Sequence, residues 1–247
     1  MNSPDYLLIL AGAAAGGFIN GLAGFGTSLF ALGFFLSVLP PTQSVALVLI
    51  LSVVTGLQGL WVVRNAILDN PKRLARFLLP ALVGIPLGVL SLRYVDVQAL
   101  KLVIAGFLLI YGGFFTVRRN LPKIDRPTPA VDVTVGFLGG VLGGLASLSG
   151  ALPTMWCSMR AWPKAETRAV LQPFNVCVLA LSAALLALRG AYTPETLRYA
   201  LIAIPTALAS AQFGIILFKR VSDTLFRRLL IVLCFVSGLI LMGRELF

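Results

Sequence analysis

Apolar runs cover roughly residues 7–39, 44–63, 74–92, 99–117, 130–159, 169–188, 196–218 and 224–243, and the short connectors between them hold Pro, Asp, Arg and Lys. Six runs are about 20 residues, the length that carries a helix across ~30 Å of hydrocarbon. The other two are longer and glycine-rich. About 33 residues would make ~50 Å of helix, too long for one crossing and short for two crossings and a turn. Each is therefore expected to be a helical hairpin with arms of about 15 residues (~22 Å) and a tip inside the membrane.

Composition turns this pattern into a class. Hydrophobic residues make up 58% of the 247, charged residues 12%, and the mean hydropathy is +0.95. Soluble chains carry about 25% charged residues and cannot hide this much apolar surface in one core. The chain reads as an all-α polytopic membrane protein. A water-soluble enzyme, a disordered chain and a secreted disulfide scaffold are excluded. The net charge of +11 does not point to nucleic acid, because the basic residues fall in runs between apolar segments. These runs are Arg64, Lys72, Arg73 and Arg76; Arg118, Arg119, Lys123 and Arg126; Arg160, Lys164 and Arg168; and Lys219, Arg220, Arg227 and Arg228. Placing them in the cytoplasm puts 15 of the 20 basic residues inside, which the positive-inside rule favours. Threading the chain through that assignment makes 130–159 enter and leave on one side. Both termini then lie on the non-cytoplasmic side of a cell membrane, for which a bacterial inner membrane is expected.

The halves repeat. Gly17-Phe18-Ile19-Asn20-Gly21-Leu22-Ala23-Gly24 matches Gly136-Phe137-Leu138-Gly139-Gly140-Val141-Leu142-Gly143. Pro41 matches Pro163, Pro80 matches Pro205, and Gly112 matches Gly238. The predicted organisation is a first repeat over 1–119 (hairpin 7–39; helices 44–63, 74–92, 99–117), a cytoplasmic linker at 120–129, and a second repeat over 130–247 (hairpin 130–159; helices 169–188, 196–218, 224–243). Each repeat is a glycine-rich re-entrant hairpin plus three transmembrane helices. Hairpins do not change sides, so an odd number of crossings inverts the second repeat. Inverted repeats with broken helices mark many secondary transporters, whose sites lie near the midplane.

Candidate chemistry concentrates at the hairpin tips: Gly24, Gly26, Thr27 and Ser28 in the first, and Gly143, Gly144, Ser147, Ser149 and Gly150 in the second. Glycine lets backbone leave the helix, and irregular backbone at membrane depth belongs in a wet or buried place. A helix restarting there offers free N–H groups and a positive dipole end, which suits an anion. The same hydroxyls could instead bridge helices. Gln172 and Asn175 share a helix face beside Pro173, and with Asn20 they are expected to face the bundle interior. Arg168 could attract anions, although snorkelling or pairing with Glu166 is favoured. Trp61, Trp156 and Trp162 read as interfacial belt residues. All nine carboxylates map to loops or helix ends, and there is no histidine. An anionic or neutral substrate is expected, and no metal, no cofactor and no enzymatic activity.

These motifs resemble the sulfite exporter TauE/SafE family of membrane permeases. The similarity rests on the two Gly-Phe-x-x-Gly-x-x-Gly openings at Gly17 and Gly136, and on Ser149-Gly150-Ala151-Leu152-Pro153 followed by Thr167-Arg168. It spans nearly the whole chain. At the first tip the family often has a run of glycines where this chain has Phe25, Thr27 and Ser28. The resemblance implies export of a small sulfur-containing anion, such as sulfite or an organosulfonate, between two facing tips. The alternatives are an anion channel of the same architecture and a permease for another small organic anion. The expected partners are that anion and the lipid bilayer, with room for a coupling proton or ion and for a homodimer, and without nucleic acid.

Overall fold

The computed structural model describes residues 3–91, 97–117, 124, 126–146, 149–188 and 190–246. These form ten helices: α1 (Ser3–Ala23), α2 (Thr27–Leu36), α3 (Pro41–Asp69), α4 (Pro71–Ser91), α5 (Val97–Val117), α6 (Pro129–Ala146), α7 (Ala151–Met159), α8 (Lys164–Leu188), α9 (Pro194–Arg220) and α10 (Asp223–Leu246). No strand occurs among the described residues. Five helices are long and apolar enough to cross a membrane: the Tyr6–Ala23 stretch of α1, and α3, α8, α9 and α10. The protein is a polytopic membrane protein. On α5, Val103, Phe107, Ile110 and Phe114 are exposed at alternating steps of four and three, the spacing of a face turned to lipid.

The hairpins exist, but their arms are unequal. The first has arms of 21 and 10 residues, and the second 18 and 9, instead of two arms of about 15. Helix α1 runs through Gly16, Gly17 and Gly21 because tight packing holds that backbone helical. It stops only where Gly24 and Gly26 adopt φ of 84° and 93°, a region costly for a side chain. Helix α2 then folds back along α1. A methyl on Gly12 would fall 2.6 Å from the Phe35 ring, and one on Gly16 2.9 Å from Ala31 Cβ and Thr27 Cγ2.

The chain forms two compact units that do not follow the sequence halves. Unit 1 holds Met1–Val62 and Asn175–Arg220, and unit 2 holds Val63–Phe174 and Val221–Phe247. In unit 1, α1 packs along α9. Methyls on Gly17 and Gly21 would lie 2.4 and 2.0 Å from the carbonyl oxygens of Ala207 and Ala211, so these backbones touch directly. The unit's core gathers Ile9, Ala13, Phe35, Leu47, Leu51 and Ala203 from α1, α2, α3 and α9.

In unit 2, α6 packs along α4 in the same manner. Methyls on Gly136 and Gly140 would lie 2.3 and 2.4 Å from the carbonyl oxygens of Phe77 and Ala81. Each long hairpin arm thus lies on a helix from the other half of the sequence. The contacts set the register: 207 corresponds to 77 and 211 to 81. Gly112 abuts Phe235, and Gly238 abuts Leu108 and Leu109, where α5 meets α10.

Candidate functional site

In unit 1 the first tip is built by Gly24-Phe25-Gly26 and the first turn of α2. Gly26 occupies the N-cap position, with no side-chain cap. The first-turn N–H groups of a helix lack intrahelical partners, so α2 directs donors and a positive end into the tip. Thr27 is buried, and its hydroxyl has no partner among the described residues. Its methyl lies against Gly16. Ser28 is half-buried beside it. Asn175, on α8, donates its side-chain amide to the Gly24 carbonyl at 3.4 Å. That contact joins two residues 151 positions apart at one tip. Asn20 is buried but turns to α3, donating to Thr55 Oγ1 at 2.8 Å and to the Ser52 carbonyl at 3.2 Å. Its side chain braces the long arm against α3, while its backbone carbonyl accepts the N–H of Gly24 at 2.8 Å. Residues 1–62 contain no lysine or arginine, so the hairpin itself contributes no cationic donor.

In unit 2 the second tip lies further along the chain than the glycines suggest. Gly143 and Gly144 belong to the last turn of α6, and Ser147 lies outside the described residues. Ser149 is buried, and Gly150 is the N-cap of α7, again without a side-chain cap. Its φ of −79° is ordinary, so glycine is not needed there for its conformation. Thr154, in the first turn of α7, is fully buried, and its hydroxyl has no partner among the described residues. Sequence reasoning missed it by stopping at Pro153. The available signal was a hydroxyl within the first turn of the helix that follows the tip: Thr154 is the fourth residue of α7, as Thr27 is the first of α2.

Arg168 and Gln172 are buried on one face of α8, with Arg168 Nε donating to Gln172 Oε1 at 3.1 Å. The expected snorkelling of Arg168 does not occur, and its expected partner is taken: Glu166 pairs with Arg73. The Arg168 side chain is fully enclosed by protein. Asn175 lies on the same face one turn beyond Gln172.

The base of the second hairpin is more polar than expected. Asp132, at a helix start as read from the sequence, is wholly buried. It accepts a hydrogen bond from Trp156 Nε1 at 2.8 Å, and Arg76 and Arg160 stand 3.9 and 4.0 Å away. Arg160 is itself buried and donates to the Arg126 carbonyl and Thr128 Oγ1. Trp156 therefore holds α7 to α6, and Trp162 lies under the guanidinium groups of Arg73 and Arg160.

No curated protein and no solved structure matches the chain. The family model for sulfite exporter TauE/SafE matches residues 8–241 of the 247. The chain belongs to that family of membrane transporters.

Proposed function

We propose that this member of the TauE/SafE family exports a small sulfur-containing anion, such as sulfite or an organosulfonate, bound at the hairpin tips near the membrane midplane. One observation carries the proposal. Two short helices, α2 and α7, each begin at an uncapped glycine, and each buries a threonine hydroxyl without a partner in its first turn. Leaving a buried hydroxyl unsatisfied costs about 1–3 kcal/mol, so a ligand that accepts from it is favoured. An oxyanion accepts from several N–H and O–H groups at once, and charge-assisted hydrogen bonds are the stronger kind.

The reciprocal packing of α1 on α9 and of α6 on α4 supports two repeats of one plan. With an odd number of crossings in each, they would be inverted, as in carriers that work by alternating access. A bacterial inner membrane with both termini outside agrees with the basic-residue distribution. Gln172, Asn175 and Arg168 would line the path of the anion along α8.

The test is thermal stabilisation of the purified protein by sulfite, sulfate, thiosulfate, taurine, sulfoacetate and chloride. A ligand at about 100 times its Kd stabilises by ~2.7 kcal/mol. Selective stabilisation by one sulfur-oxyanion is expected. Stabilisation by a cation or an uncharged solute alone would refute the proposal. Exchange of labelled for unlabelled anion in proteoliposomes, without single-channel currents, is the expected result for a carrier.

A further inference from the structure

Helix α7 has nine residues, about 13 Å from end to end, so its two ends are electrostatically close. Its N-terminus carries Gly150 and the unpartnered, fully buried Thr154 hydroxyl. Its C-terminal carbonyls are met by donors from elsewhere in unit 2. Nearer the middle of the helix, Tyr111 OH of α5 donates to the Met155 carbonyl at 3.2 Å and also hydrogen-bonds with Ser158 Oγ. The Ile124 N–H donates to the Met159 carbonyl at 3.0 Å. Arg227 of α10 donates Nε to the Ser158 carbonyl at 3.0 Å. Arg227 and Arg160 are both buried, at 5% and 4% exposure, although the sequence placed them among the cytoplasmic charges. The last turn of α7 has no basic residue, and Arg227 takes that place, while Arg160, the C-cap residue, is turned to Asp132 and the Arg126 carbonyl.

The first hairpin lacks this arrangement. The C-terminal carbonyls of α2 are met from the neighbouring chain, by Ser37 Oγ on Phe34 and by the N–H groups of Val38 and Leu39 on Phe35. No cation stands at that end among the described residues of the hairpin.

A helix dipole has a negative C-terminal end that opposes an anion held at the N-terminus. Cations fixed at the C-terminus cancel it and add their own attraction. At an effective dielectric of about 20, a unit charge some 17 Å from the anion changes its affinity by about fivefold. We propose that Arg227 is a positioning residue for anion binding at the second tip. It acts through α7, without touching the anion, by holding positive charge at the far end of the helix. This rests on the proposed anion site at the tips.

The test compares three full-length variants for binding of sulfite and sulfoacetate by calorimetry in detergent, with ligand-free melting as a control. Arg227→Gln is expected to weaken binding about fivefold, and Arg227→Lys to restore it to within about twofold of wild type. Tyr111→Phe removes uncharged hydrogen bonds to Met155 and Ser158 of the same helix, and is expected to change binding by less than about twofold. If Arg227→Gln does not fold, Arg227→Met supplies the same comparison. Equal losses in Tyr111→Phe and Arg227→Gln, or no rescue by lysine, would overturn the inference and leave the anion site standing. Absence of binding by the wild type would overturn both.

Discussion

Gly21 provides the sharpest test of the packing that positions the first tip. A methyl group there would sit 2.0 Å from the Ala211 carbonyl oxygen and 2.7 Å from that residue's carbonyl carbon and Cα. All three are backbone atoms of α9, so no side chain can swing aside. A comfortable C···O separation is about 3.3 Å, so α1 and α9 must part by about 1.3 Å along the contact. Overpacking of this kind costs about 1–3 kcal/mol, with the upper end apt for backbone that cannot yield. Alanine recovers about 1 kcal/mol of helix propensity. Gly21→Ala should therefore destabilise by about 2 kcal/mol net, a fall of ~4–8 °C in Tm for a chain of this size. Gly33→Ala is the matched control: it lies in α2, where an added methyl meets nothing within 4 Å. It should be neutral or raise Tm slightly. Thermal unfolding of both variants in the same detergent decides the matter. If Gly21→Ala melts with Gly33→Ala, the direct contact between α1 and α9 backbones is refuted.

Thr27→Val removes a hydroxyl that has no protein partner, so melting without ligand should shift by less than ~1 kcal/mol, while anion-dependent stabilisation should fall; an unchanged anion response would remove Thr27 from the site. Trp156→Phe deletes the hydrogen bond to buried Asp132 and should cost about 1–3 kcal/mol in a denaturation series. Asp132→Ala should cost more, about 3–5 kcal/mol, because it strands the Arg160 charge, and a smaller loss than in Trp156→Phe would contradict the buried network. Glu166→Gln should cost under ~1 kcal/mol, since the Arg73–Glu166 pair is partly solvated, with side chains 20% and 38% exposed; a large Tm drop would show that this pair is structural.

Particular residues show how far a sequence reaches. Glycines four apart at Gly17/Gly21 and Gly136/Gly140 were read as the mark of a repeat, and each approaches a neighbouring backbone. Gln172 and Asn175 were expected to be interior from their spacing, and both are buried. Gly143 and Gly144 misled because glycine permits a break without requiring one. Packing against a neighbour can hold such a stretch helical, and α6 continues to Ala146. Arg160 and Arg227 were counted as loop charges, because a census of basic residues records only nearness to a helix end. Their burial depends on carbonyls and carboxylates supplied by distant segments.

Membrane residence, the helical class, the two long broken runs and the family were decided by the sequence alone. Each depends on hydropathy, helix length and local backbone freedom, which are properties of consecutive residues. Tertiary structure alone decided which helices share a unit, how unequal the hairpin arms are, and that Asn175 meets Gly24. It also decided that Thr27 and Thr154 are left without partners, and that α7 ends against Arg227. Those facts are pairings between residues tens to more than a hundred positions apart. Hydropathy shows that a side chain must leave water or lipid, but only the folded chain settles which donor or acceptor it finds there.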